Sequence, residues 1–286
     1  MEFFIANTVS GLAYAMLLFL MAAGLSIIFG LMKIMNLAHG SFFILAGYVA
    51  YTFSRSGMNF WLSMVLAVIV ISIFALIIEK LFISRVHGSE TDQVLLTVGL
   101  VFVLGDLALW IWGGNFLSIP VPAIFDFSLD FAGMTFPAYR LFVIAMGILF
   151  AFVLWYFEAK TRVGMIVRAG VDDMEMVSAL GFNVKIIFSG VFIFGAALAA
   201  FGGVLSGPIL GMYPMMEWEI LVNSMIVVII GGLGSWKGAF IASMIVGFVD
   251  IFGRIYMPTF AMAFIFILMV AILMVKPTGL FGRVES

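Results

Sequence analysis

The chain contains no cysteine. Disulfides, thiolate metal sites and cysteine nucleophiles are therefore excluded. Charge is nearly as scarce: Asp, Glu, Lys and Arg make up 10% of the 286 residues, against about a quarter of an ordinary globular domain. The 13 basic and 15 acidic residues are thinly spread and net charge is −2, which excludes the basic footprint that nucleic acid requires. Histidine occurs only at positions 39 and 87, with neither His-Glu-x-x-His nor Gly-x-Ser-x-Gly present. No catalytic residue, metal site or cofactor site is expected. What the chain does have is apolar: 65% of residues are hydrophobic and mean hydropathy is +1.28. No soluble fold of this size hides that much apolar surface. The expected class is an all-α polytopic integral membrane protein. The first apolar run is too long for a signal-peptide core and lacks a basic leader, so it counts as a span.

A helix crossing the hydrocarbon needs roughly 17–25 apolar residues. On that rule the segments are Val9–Leu31, Leu37–Ser54, Phe60–Ile78, Val94–Gly113, Leu141–Phe157, Ile186–Gly207, Ile220–Trp236, Gly238–Met257 and Thr259–Val275. This makes eight or nine transmembrane or half-membrane helices. The short, glycine-broken segments 37–54 and 220–236 are the candidates for re-entrant or half-helices. Basic residues set the direction of threading. Loop 158–185 holds Lys160, Arg162, Arg168 and Lys185; Lys80 and Arg85 occupy another loop; Lys276 and Arg283 lie in the tail. Loop 114–138 has only Asp126 and Asp130, and the N-terminus only Glu2. The expected orientation is N-terminus outside and C-terminus cytoplasmic. Nine crossings, or eight segments with one re-entrant, satisfy it. Loop 114–138 reads as an extracytoplasmic hairpin, too short for a core of its own.

Within 158–185, apolar residues at 163, 166/167, 171, 174 and 177/180 recur at helical spacing, with Arg168 and Asp172 an i,i+4 pair on the wetted side. Such a helix lies flat on the lipid interface or lays its stripe into a partner's groove. Asp172, Asp173 and Glu175 disfavour anionic lipid and favour the partner. Gly195, Ala199, Gly203 and Gly207 repeat every fourth residue along one span, which lets helix backbones approach closely, within the chain or across a subunit interface. Either way that helix is central.

Gly231–Gly238 imitates a phosphate-binding loop but fails as one, since Lys237 follows Trp236 and Gly238 stands where Ser or Thr would hold the metal ion. It reads as a hinge or helix break with Lys237 at the cytoplasmic surface. Nothing else suggests ATP binding. Intramembrane charges are candidates by default. Asp250 and Arg254 are spaced to neutralise each other. Asp106 has no partner on its own segment and suits a pathway or an inter-helix contact. His39, after Asn36 and before Gly40 and Ser41, suits either substrate contact or the capping and packing of a broken helix.

The run Asn36-Leu37-Ala38-His39-Gly40 within Gly30–Tyr48 resembles the signature of the LivH-type permeases, membrane subunits of ABC importers for branched-chain amino acids. Thr161–Gly164, Arg168-Ala169 with Asp172-Asp173, and Leu180-Gly181 resemble that family's coupling segment. Gly231–Phe240 and the ending Lys276–Gly282 resemble its C-terminal half. The resemblance covers nearly the whole chain in the right order. Two departures are Ser41, where many members carry Glu, and the acidic stretch 172–178 with Glu175 and no Lys or Arg.

The resemblance implies a single permease domain over 1–286 in a prokaryotic plasma (inner) membrane. Its implied partners are a second LivM-like permease, two cytoplasmic ABC ATPases, a periplasmic or lipid-anchored binding protein, and the bilayer. It implies ATPase coupling through Gly164, Arg168, Ala169, Asp172, Asp173, Leu180 and Gly181. A substrate path is expected near the broken segments, with Asn223 and Ser224 as polar liners and Asn36, His39, Ser41 and Asp106 as further candidates. Urea and short-amide permeases share these motifs and form the alternative. A proton-coupled secondary transporter using Asp106 or Asp250 is the more distant one.

Overall fold

The computed structural model describes residues 2–33, 35–86, 89–131 and 134–282. His87 and Arg283, both noted in the sequence, lie outside the described residues. Among the described residues, eleven α-helices carry the fold: α1 (Glu2–Met32), α2 (His39–Arg55), α3 (Phe60–Leu81), α4 (Glu90–Trp112), α5 (Ala138–Lys160), α6 (Arg162–Asp172), α7 (Met174–Ala179), α8 (Val184–Leu210), α9 (Met216–Gly231), α10 (Trp236–Tyr256) and α11 (Ala261–Val275). Seven are long and apolar enough to cross a bilayer, the last of them as Pro258–Val275, where a 3-10 turn leads into α11. The other two apolar segments are α2, of 17 residues, and α9, of 16. These are the two that the sequence marks as short.

Local chemistry sets the helix ends. The side chains of Asn59, Ser89, Thr161, Asp173, Asn183 and Ser235 each accept a hydrogen bond from a backbone N–H in the first turn that follows. Gly113, Gly211 and Gly232 take positive φ just past the ends of α4, α8 and α9, a conformation that costs other residues a Cβ clash. Several helices run past the apolar segments that mark them. Helix α4 starts at Glu90 and α5 extends to Lys160, because helix continues after hydrophobicity stops. The largest inward displacement is in α9, which ends at Gly231, and Trp236, expected to close that segment, instead opens α10.

The centre is α1, whose span is 89% buried, with α8, α9 and α10 around it. Glycines set the spacing. At the α1–α8 crossing, a Cβ on Gly195 would stand 2.9 Å from the Gly24 carbonyl oxygen. Gly203 of α8 meets the Phe43 backbone of α2, and Gly207 meets Ile119 of the loop after α4. Ala199 is fully buried between them. The every-fourth-residue stripe on α8 thus packs within the chain, serving α1, α2 and the outer loop in turn.

Loop 114–138 forms an antiparallel hairpin, β1 (Ser128–Phe131) with β2 (Met134–Pro137), the only strands among the described residues. Its first part is tied down where Leu117 and Met212 exchange backbone hydrogen bonds of 2.9 and 2.7 Å. At the opposite end of the bundle, the tail folds back on the loop after α9. Leu280 N–H donates to Ile230 O (2.7 Å) and Phe281 N–H to Gly231 O (2.9 Å). Two sequence motifs far apart in the chain therefore form one structural unit.

Candidate functional site

The stretch 162–179 is not the single helix that its periodicity predicts. Asp173 leaves helical geometry at φ −155°, and its side chain caps α7 by accepting from Met176 N–H (2.9 Å). The apolar stripe also turns inward. Gly164 packs on the Phe157 carbonyl of α5, a Cβ on Gly170 would stand 2.9 Å from Leu31 of α1, and Val177 is buried. Most of the stripe that suggested a partner's groove seals the end of its own bundle, because α1 and α5 supply apolar surface first. Val163, Met165, Met176 and Leu180 remain exposed, alongside Arg168, Ala169 and Asp173. Gly181 takes φ +87° with open space where a side chain would go. The Asp172 side chain, and with it the Arg168–Asp172 pair, lies outside the described residues. This apolar surface ringed by charge is suited to docking a protein.

The glycine-rich stretch after α9 is a helix break. Gly232 and Gly234 have φ of +100° and +79°, and Ser235 Oγ accepts from Gly238 N–H (3.1 Å) to start α10. Glu158 of α5 holds the break from the side, accepting from Trp236 Nε1 (2.9 Å) and pairing with Lys237 Nζ (3.2 Å). The loop is thereby held beside the end of α5.

The remaining candidates divide between interior and surface. His39 is fully buried where α2 starts against α1; its ring lies along the Met21 backbone without forming a hydrogen bond of normal geometry. Ser41 and Ser224 are also buried, with hydroxyls that have no hydrogen-bond partner among the described residues. Asn223 donates from Nδ2 to the Tyr14 hydroxyl (3.0 Å), which ties α9 to α1. On a helix of 3.6 residues per turn, Asn223 and Ser224 lie opposite the accessible stripe of α9, formed by Trp218, Val222, Met225 and Ile229. The expected polar liners thus face the core.

Two recesses flank the accessible stripe. The inner one, about 340 Å³, is walled by Leu25 and Phe29 of α1, Met225 and Ile229 of α9, and Asn36 of the linker before α2. Asn36 is buried, and neither of its side-chain polar atoms has a hydrogen-bond partner among the described residues. The outer recess, about 470 Å³, lies between α2, α4 and α9 and is lined by Tyr48, Phe102, Asp106, Glu217 and Trp218. Asp106 is exposed, whereas Glu217 is 5% exposed.

Sequence reasoning missed Glu217 and Glu219, because a charge-free criterion starts that segment at Ile220. The signal was present as two carboxylates flanking Trp218 directly before an apolar run. Arg254 Nε does reach Asp250 Oδ2 (2.9 Å), as the spacing predicts, but Arg254 Nη2 also reaches Glu219 Oε1 (2.9 Å). Tyr213 O–H donates to the other Glu219 oxygen (2.6 Å). The pair is one half of a network that locks α9 to α10.

The sequence matches the family model described as branched-chain amino acid transport system / permease component over residues 7–273. The chain is 26% identical over 299 residues to the high-affinity branched-chain amino acid transport system permease protein BraD of Pseudomonas aeruginosa, covering 99% of this chain and 97% of that one. It is 26% identical over 305 residues to the corresponding protein LivH of Escherichia coli strain K12, with the same coverage. A probable LivH of Methanocaldococcus jannaschii is 27% identical over 288 residues, covering 94% of this chain and 90% of the relative. Among solved structures, PsaBC from Streptococcus pneumoniae in complex with Fab superposes with a TM-score of 0.51 at 12% identity, covering 93% of this chain and 89% of that one, a likeness of fold. The full-length match and the helical bundle agree. The chain belongs to the branched-chain amino acid permease family and is a LivH-type, multi-pass membrane transport protein.

Proposed function

We propose that the chain is one membrane-spanning permease subunit of an ATP-driven, binding-protein-dependent importer for leucine, isoleucine and valine. It acts in a prokaryotic inner membrane with a second LivM-like permease, two cytoplasmic ATPases and an extracytoplasmic binding protein. The observation that carries the mechanism is the surface of α6 and α7: an apolar, charge-ringed patch anchored on the ends of α1 and α5. The ATPase grips Val163, Met165, Met176 and Leu180, with Arg168, Asp172 and Asp173 fixing the register. Nucleotide-driven closure moves α6 and α7, and the Gly164–Phe157 contact passes that motion to α5 as a rigid body. Cargo crosses beside the α9 stripe, between this chain and the second permease.

The same bundle supports the proposed orientation. The end that carries α6, α7 and the 232–235 loop also holds Lys80, Lys160, Arg162, Lys185 and Lys276, whereas the hairpin end has Arg55, Arg140 and Arg254. With α2 and α9 counted as embedded, an odd number of crossings is consistent with an N-terminus outside and a C-terminus in the cytoplasm. The cargo class rests on the relatives, which are named for branched-chain amino acid transport.

The test is co-purification with the two ATPases, then binding-protein-stimulated ATP hydrolysis in liposomes. Stimulation by leucine-loaded but not urea-loaded binding protein is the expected result. Failure of any ATPase to co-purify, with uptake that collapses alongside the proton gradient, overturns the proposal in favour of a secondary transporter. A full response to urea alone reassigns the cargo.

A further inference from the structure

The outer recess brings two carboxylates together with aromatic rings. Glu217 sits in the first turn of α9, almost wholly buried, and lines a recess of about 470 Å³ together with the aromatic rings of Tyr48, Phe102 and Trp218. Its Oε1 is 2.9 Å from where a Cβ on Gly105 of α4 would stand, so the carboxylate reaches across to α4 because residue 105 has no side chain. Next to that glycine, Asp106 adds a second carboxylate to the same recess. Asp106 is exposed, six residues before the end of α4 and so about 9 Å inside it along the axis. Among the described residues, the nearby arginine, Arg254, is committed to Glu219 and Asp250 instead. A carboxylate facing hydrocarbon costs up to roughly 2.5–3.5 kcal/mol at mid-membrane, so this face suits a cation-bearing occupant better than lipid.

We propose that the recess formed by Glu217, Asp106 and the three aromatic rings is a subsite for the α-ammonium group of the cargo, and that it selects amino acids over uncharged urea and short amides. This rests on the proposed import function and assigns a selecting role to the permease itself. The ammonium is held by charge-assisted hydrogen bonds to the carboxylates and by the faces of the rings, both of which strengthen in a partly desolvated recess. A neutral amide carries no full positive charge and gains little from either. The helix break and the inner recess play no part in this step; the inner walls are apolar apart from Asn36.

The experiment uses the complete importer in liposomes with its binding protein, and the variants Glu217→Gln, Asp106→Asn and Gly105→Ala. The first two remove charge at constant shape. The third keeps both charges but displaces the Glu217 carboxylate. Co-purification of all subunits establishes assembly. For Glu217→Gln the expected result is a fall in leucine uptake, as kcat/KM, of about ten-fold or more. Asp106→Asn and Gly105→Ala lower it in the same direction. Uptake by fully assembled variants that is indistinguishable from the unaltered importer overturns the subsite while leaving the import function standing. Loss of the second permease from the purified Asp106→Asn/Glu217→Gln complex also overturns it, because the carboxylates would then serve subunit pairing. If the unaltered importer moves urea and not leucine, the import reading itself fails.

Discussion

Gly203→Ala is the sharpest test of how this bundle is held together. Gly203 sits on α8 where α2 crosses it, and a Cβ there would lie 2.7 Å from the Phe43 carbonyl carbon and 3.2 Å from its Cα. Carbon atoms rest at about 3.5–4.0 Å, so α2 must retreat by roughly 1 Å. The obstacle is backbone, which has no rotamer to change. Overpacking of this kind costs typically about 1–3 kcal/mol, and a backbone obstacle belongs at the upper end. At roughly 2–4 °C per kcal/mol for a chain of this size, the midpoint of thermal unfolding in detergent falls by about 5–10 °C. Gly190→Ala on the same helix is the control. Nothing lies within 4 Å of its Cβ position, and alanine gains about 0.8–1 kcal/mol of helix propensity over glycine. A Gly203→Ala midpoint no lower than that of Gly190→Ala would refute the account of α8 as a close-approach helix.

Tyr14→Phe strands the buried Asn223 amide and costs about 1–3 kcal/mol, whereas Tyr14→Phe/Asn223→Leu recovers part of the loss; equal unfolding midpoints for single and double variant would refute the tie. Arg254→Met leaves Asp250 and Glu219 unpaired together, so it destabilises more than Asp250→Asn or Glu219→Gln alone. Because Arg254 is 51% exposed, the loss stays below the roughly 3–5 kcal/mol of a fully buried pair. Chemical denaturation of the three variants ranks them. Leu180→Asp places a charge on the exposed patch of α7 without touching the bundle. Thermal stability is expected to stay unchanged while binding-protein-stimulated ATP hydrolysis is lost, and retained stimulation counts against the coupling surface.

The class of this protein was legible before any fold was known, because hydrophobicity acts locally. A charge-free run such as Ile186–Gly207 has one stable state in hydrocarbon, the helix that satisfies its own backbone, so the apolar runs read directly as eight or nine helical segments. The stripe Gly195–Ala199–Gly203–Gly207 was equally readable, since an i+4 spacing is a property of one helix. Which neighbour each small residue admits was not: Gly24, Phe43 and Ile119 come from three different elements.

Amphipathicity proved two-sided for the same reason. The periodicity of 163–180 identifies helix correctly, yet only the ends of α1 and α5 decide that most of the apolar stripe faces inward and that Asp173 breaks it into α6 and α7. Asn223 and Ser224 looked like liners because a polar residue in an apolar run marks either a path or a tie. Rotation of α9 against α1 is not written in the sequence, and it brings Asn223 onto Tyr14. The recess that joins Glu217 to Asp106 was the least legible feature. It depends on α4 and α9, far apart in sequence, meeting at the one residue, Gly105, whose missing side chain lets a carboxylate through. Sequence alone thus determined the solvent, the segments and the family. Packing determined which polar groups hold the helices together and which remain accessible.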